Sequence, residues 1–459
     1  MFAAALLMLV LLAVPVSVLR AAPGDAAHFD GVLADGARYL IDVPAGWNGT
    51  LVLYSHGYVS RGGQPAAATD APDARSKAWL LANGFALAGS SYAAAGWAVA
   101  EALTDQLDVL GQFDRLTSRS PRRTIAWGFS MGGLITAALV ERNPRRFAGG
   151  LPMCGVVAGS TPFLSSRFDL LFAFKTLLAP STALHITAIG DADSDARTAV
   201  ALLDAAQKTP EGRARIALVA DIAQIPGWYG RLQPSPAAND MDARELGQYQ
   251  WLQTVGVSRF AFDAAAEIEM RAKGNPSANT GVDYGRVFAR SRDRAEVEAL
   301  YTLAGADLAA DLRMLDAAPR VRADPAATQY TQRFADLVGN ITVPVLSMHT
   351  IADGLVPVGD ESAYTALVSA AGKAPLLRDA FVQRSGHCAF TPGETIAAFQ
   401  TLIARVDGGS WDARPATPTA LNATAAQLGP ELNALAGPRD TTIPTAPAFV
   451  LFEPPAFPR

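Results

Sequence analysis

In Gly128-Phe129-Ser130-Met131-Gly132, residue type and spacing point directly to a chemistry. An alcohol is a weak nucleophile at neutral pH, so a serine that attacks a carbonyl carbon must project from a tight turn with a base beside it. Glycines two residues to either side let a strand pass within a few residues into a helix and hold the serine strained and exposed. The flanks fit. Thr124-Ile125-Ala126-Trp127 reads as a buried strand, and Gly133 to Val140 carries apolar residues at helical spacing. Candidate bases are few: the chain has five histidines, His28, His56, His185, His349 and His387.

The elements around this turn alternate. Val32-Leu33, a turn at Asp35-Gly36, and Tyr39-Leu40-Ile41 predict an edge hairpin. Leu51 to Tyr54, Phe85 to Ala88 and Gly150 to Met153 add short buried strands, with a helical pattern over Trp97 to Phe113. Strands separated by crossover helices build a parallel sheet, so the expected class is α/β, mostly parallel, with helices on both faces. The alternation stops after Gly155 and resumes at Val343 to Met348, followed by a helix near Ser362 to Ala371 and a strand at Ala380 to Val382. The expected organisation is a core from 28–155 and 340–408, a large, mainly helical cap over 156–339, and a tail over 409–459. That tail holds nine prolines and is expected to lie extended on the surface, without a long regular element.

The elbow in this context resembles the α/β-hydrolase superfamily, over about residues 30–155 and 340–405. The resemblance implies the chain order serine, then acid, then histidine. His387 is then the base, because His28 and His56 precede Ser130, His185 falls in the insertion and His349 belongs to a strand. The acid is expected after the strand at 343–348, where Asp353 fits. Asp360 is its rival, although at the start of a helix a carboxylate is ordinary capping. The resemblance to extracellular lipases and polyester hydrolases, which carry a similar Gly-Tyr pair with a Gly-x-Ser-Met-Gly elbow, implies an oxyanion hole from the backbone amides of Met131 and Tyr58. His56-Gly57 as a purely structural turn is the alternative reading.

Those polyester hydrolases are nearly capless, so the insertion predicts a roofed pocket here. Trp228-Tyr229, Tyr249 with Trp251, and Phe260 with Phe262 are candidates either for its lining or for the cap's own core. Tannase and feruloyl esterase-like enzymes have a lid and a His-Cys pair like His387-Cys388, bridged to a cysteine next to the nucleophile. Phe129 stands at that place in this chain, and Cys154, at the end of the neighbouring strand, is the expected partner of Cys388; two buried free thiols are the alternative.

Composition narrows the classes. Half of the 459 residues are apolar and 18% are charged, which excludes a disordered chain, and 38 basic against 43 acidic residues with no basic run argue against nucleic acid as a partner. Residues 2–19 carry no charge, and 1–22 read as a secretory signal, with a retained anchor as the alternative; a secreted or periplasmic protein with no stable membrane partner is expected. No histidine, cysteine and carboxylate cluster has ligand spacing, so no metal and no cofactor are expected. The expected function is hydrolysis of small-molecule or polymeric carboxylic esters through an acyl-enzyme. A secreted exopeptidase with the same triad, or a non-catalytic binding protein on this scaffold, are the alternatives.

Overall fold

The computed structural model describes residues 26–60, 67–437 and 441–459. The expected secretory signal lies outside the described residues. Among them no helix is long and apolar enough to cross a membrane.

Strands β1 (Ala27–Val32), β2 (Arg38–Val43), β3 (Thr50–Ser55), β4 (Ala86–Ser90), β5 (Arg123–Phe129), β6 (Gly149–Met153), β7 (Val345–Ala352) and β8 (Leu377–Ser385) form one sheet in the order β1-β2-β4-β3-β5-β6-β7-β8. From β4 to β8 the neighbours are parallel, while the β1–β2 hairpin attaches antiparallel to β4. Because side chains alternate across a strand, Leu51 and Leu53 serve one face and Val52 and Tyr54 the other. The helices Val99–Thr117, Met131–Arg142 and Gly359–Ala370 cover the first face; Ala74–Ala82 and Pro392–Gly408 cover the second. The fold is α/β as expected, and the carboxyl ends of β3, β5, β6, β7 and β8 open on one edge, where such sheets place their sites.

Between β6 and β7 the described chain is helical, from Ser160–Leu178 to Pro325–Ala335. It has an apolar core of its own running from Phe168 to Leu315. Val156, Val157 and Phe163, and on the return Ala335, Leu337 and Ile341, pack instead in the sheet's core. The chain therefore leaves and rejoins the sheet layer somewhat inside 156 and 339.

The tail departs from the expectation of an extended surface segment. It forms the helix Pro418–Gln427, a small hairpin from β9 (Ala434–Ala436) and β10 (Thr442–Pro444), and β11 (Phe449–Val450), which pairs antiparallel with β8 and becomes the ninth strand of the sheet. It then crosses to the helical layer, where Arg459 meets Asp169 at 2.6 Å and donates to the carbonyls of Ser165 and Ala278. Proline breaks long elements, but it suits the first turn of a helix and the edge of a sheet, and Pro418 and Pro444 take those places.

Candidate active site

Ser130 sits between β5 and the helix Met131–Arg142 with φ 60° and ψ −126°. That left-handed position costs energy for any residue with a side chain, and the surroundings enforce it. The Ser130 N–H donates to the Met153 carbonyl at 2.9 Å. A Cβ on Gly128 would lie 2.2 Å from the Gly132 carbonyl oxygen, and one on Gly132 would lie 2.0 Å from that of Ser55. The two glycines of the motif are thus required by close backbone approach.

The three residues singled out for acyl chemistry meet. His387 lies on the loop after β8 and Asp353 on the loop after β7. His387 Nδ1 is 2.6 Å from Asp353 Oδ2, and Nε2 is 2.8 Å from Ser130 Oγ. An ionised carboxylate only accepts, so Nδ1 carries the hydrogen and Nε2 faces the hydroxyl as acceptor. The second Asp353 oxygen accepts the amides of Leu355 and Val356 at 2.9 and 3.0 Å. Burial would raise the Asp353 pKa, but the neighbouring His387 and His349 hold it well below the usual carboxylate range. Asp360 takes no part in this contact. It is fully buried in the first turn of Gly359–Ala370 instead of capping in solvent, and burial pushes its pKa well above the carboxylate range, with His349 opposing.

Cys154 and Cys388 are bridged, with Cα atoms 5.3 Å apart across 234 residues of sequence. The bridge ties the end of β6 to the residue after His387. Cys154, His387 and Cys388 cluster as tightly as metal ligands do, but both sulfurs are committed to each other.

Met131 N–H opens its helix and so has no acceptor within it. Tyr58 follows β3, and its loop is shaped by His56, whose ring stacks on Tyr92 at 3.9 Å and whose Nδ1 donates to the Gly57 carbonyl at 2.7 Å. Burial lowers the His56 pKa, which leaves the ring neutral for this role. Ser130, Met131 and Tyr58 line a pocket between the sheet edge and the helical layer. Its walls are mostly apolar, with Trp97, Phe163, Phe168 and Phe260 among the side chains that line it. Of the insertion's aromatic clusters only Phe260 reaches this cavity, edge-on to Tyr58 at 5.6 Å; Phe262 and Trp251 are core.

No family model matches the chain. The o-phthalyl amidase of Xanthobacter agilis is 30% identical to it over 432 residues, which span 86% of this chain and 90% of the amidase. The chain belongs to that amidase's family, within the α/β-hydrolases. Among solved structures, an esterase from Aspergillus oryzae shares 12% identity at a TM-score of 0.40, covering 84% of this hydrolase and 79% of that chain. Feruloyl esterase B from the same organism shares 11% at 0.38, covering 83% and 80%. The Pyrococcus horikoshii acylaminoacyl peptidase shares 11% at 0.35, and the hydrolase, with 79% of its own length matched, spans only 38% of that chain.

Two buried groups of the hydrolase escape sequence reasoning. His349, inside β7, places Nδ1 3.0 Å from Glu361 Oε1 and Nε2 3.0 Å from the Val356 carbonyl, with Asp353 Oδ2 at 3.5 Å from Nε2. Both nitrogens face only acceptors, so both carry hydrogens and the ring is a buried cation. Burial alone would lower its pKa; Asp353 and Glu361 override that and raise it from 6.5 to about 10. The folded hydrolase thus holds a proton that its unfolded chain releases above pH 6.5. This stabilisation is complete below that pH and is lost as the pH climbs through about 10. Denaturant titrations should show unfolding free energy falling across this window, with a shallower fall in His349→Gln; equal slopes would remove His349 from this role. A histidine closing the apolar run Val345-Leu346-Ser347-Met348, four residues before Asp353, is the signal that was there to be read.

The second group is Arg167, on the helix Ser160–Leu178 of the hydrolase. It lies deep in the protein, lines the cavity, and retains partial exposure. Its neighbours at three and four positions either way are Phe163, Leu164, Leu170 and Leu171, so a lone cation on an apolar helix face was visible in the sequence.

Proposed function

We propose that this chain hydrolyses esters and amides of a compact aromatic acid through an acyl-enzyme, with o-phthalyl amides, the class its amidase relative is named for, as the first substrates to test. The observation that carries this reading is Ser130 Oγ, 2.8 Å from His387, facing an aromatic-walled, largely apolar cavity. Ser130 attacks the acyl carbon while His387 takes the hydroxyl proton, and Asp353 holds the ring's orientation and offsets its new charge. The Met131 and Tyr58 amides receive the oxyanion. Collapse of the tetrahedral species breaks the carbonyl–heteroatom bond, and His387 returns the proton to the departing amine or alcohol. Water then repeats the sequence on the acyl-enzyme, releasing the acid and the free serine.

An exopeptidase would need a free carboxylate for the substrate's ammonium. Glu269 lines the cavity, but its two oxygens already accept the amides of Ala188 and Ile189 at 3.0 and 3.4 Å. The deciding experiment is a panel of acetyl, benzoyl and phthalyl nitrophenyl esters and anilides, with aminoacyl anilides, assayed at pH 8 on wild type and Ser130→Ala. Turnover of the aromatic acyl compounds that vanishes in the serine variant is expected. Turnover of aminoacyl anilides alone overturns the reading.

A further inference from the structure

Four arginines that are buried or half-buried in this protein are paired with carboxylates. Arg384, Arg215, Arg244 and Arg271 meet Glu394, Asp311, Glu296 and Glu267 at 2.6 to 2.8 Å. A guanidinium is a planar fork of five donors that cannot shed its charge, so burying one without a carboxylate is costly. Arg167, in the wall of the site, differs from these four. Among the described residues it makes no ion pair, and the hydrogen bonds it has are long ones, 3.5 Å to the Gly354 carbonyl and 3.4 Å to that of Val255.

Its position is specific. Phe163, Leu164 and Leu171, one turn to either side on the same helix, and the adjacent Phe168 line the cavity with it, so this side of the helix forms a wall of the site. Gly354, whose carbonyl it reaches, follows Asp353, and the next two residues, Leu355 and Val356, line the cavity that also holds Ser130. Burial depresses the Arg167 pKa to about 10, with Asp353 and Asp360 opposing, which still leaves it charged at neutral pH. Neither carboxylate is available to it: Asp353 is committed to His387 and two amides, and Asp360 is driven toward its neutral form.

We infer that Arg167 is the receptor for a free carboxylate carried on the acyl group of the substrate. The inference rests on the acyl-hydrolase reading above and narrows it. An aromatic acyl group with a carboxylate in the ortho position would bury its ring among the cavity's aromatic side chains and bring its charge to the one donor fork left unpaired there. A bidentate arginine–carboxylate contact supplies orientation as well as affinity, and holding the reacting carbonyl over Ser130 is what such orientation achieves. The long bonds to Gly354 and Val255 would give way to short charged ones.

The test compares phthalyl with benzoyl anilide, and phthalyl anilide with its methyl ester, in which the carboxylate is masked. Wild type should prefer the free carboxylate. Arg167→Gln should reduce the phthalyl-to-benzoyl ratio of kcat/KM by about ten- to hundredfold, mainly through KM, as expected for loss of a hydrogen-bonded charge. Arg167→Lys should restore part of the ratio. A residue that merely balanced Asp353 would lower both substrates together and leave the ratio unchanged, which would overturn the inference. Wild-type turnover of benzoyl compounds without any preference for phthalyl would also overturn it, while the acyl-hydrolase reading stood; no turnover of either would remove the reading itself. Should Arg167→Gln fail to fold, inhibition of wild type by phthalate against benzoate probes the same contact: stronger inhibition by phthalate is expected, and equal inhibition would sink the carboxylate receptor.

Discussion

Ser130→Ala should abolish hydrolysis, with kcat falling by about 10⁶-fold, the scale on which serine–histidine machinery fails when its nucleophile is removed. The variant should fold, because alanine keeps the Cβ that the φ 60° turn already accommodates and removes one oxygen at the cavity floor. His387→Ala should cost about as much, and the double variant little more, since on the proposed reading the two side chains act as one unit. Asp353→Asn should cost about 10⁴-fold, because an amide donating to Nδ1 favours the tautomer that points a hydrogen at Ser130. Burst kinetics with a nitrophenyl ester, read beside circular dichroism, check all of these. Retention of a tenth of wild-type activity in Ser130→Ala, with a native spectrum, would falsify the assignment.

Breaking the Cys154–Cys388 bridge should have the largest effect on stability. Closing a loop of 234 residues removes conformational freedom from the unfolded chain, and the chain-entropy estimate for so long a loop is about 5 kcal/mol, with losses of about 2 to 5 kcal/mol common when native bridges are removed. Activity should fall as well. Cys388 follows His387 directly, and its Sγ lies 3.4 Å from His387 Nε2, so the bridge is the nearest cross-link to that ring. Both half-cystines occupy left-handed positions, φ 45° and 52°, which serine or alanine tolerates poorly once the bond is gone. Guanidinium unfolding of the Cys154→Ser, Cys388→Ser double variant, and of wild type with reductant, measures the first effect. The second is read as kcat below the unfolding transition. Coincident transitions with and without the bridge would show that it carries no such load.

The elbow is legible in sequence because its geometry tolerates no Cβ at Gly128 or Gly132, a requirement written directly into residue type. His387 and Asp353 become legible through chain order, since β5, β7 and β8 run parallel and deliver their loops to one edge. The Cys154–Cys388 pairing follows from the same adjacency. His349 reads only as a strand residue, because nothing local reveals that Glu361, on the next helix, waits for its ring. Arg167 shows in the sequence only as a lone cation among apolar residues, because its surroundings are assembled from the Ser160–Leu178 helix, Val255 and the loop after β7, segments distant in sequence. The tail misleads because a proline count describes what the chain cannot do, while the pairing of β11 with β8 depends on an open sheet edge elsewhere.

That tail has a mechanical meaning. After adding β11 to the sheet it runs across to the helical layer, where Gln224 donates to the Ala456 carbonyl and Arg459 grips Asp169, two residues from Arg167 on the same helix. The helix forming one wall of the site is thus held from behind by a strap whose other end is anchored on the sheet that carries Ser130. Fraying of that strap would loosen the spacing between Ser130 and the cavity wall without touching either one, and selectivity would soften before stability did.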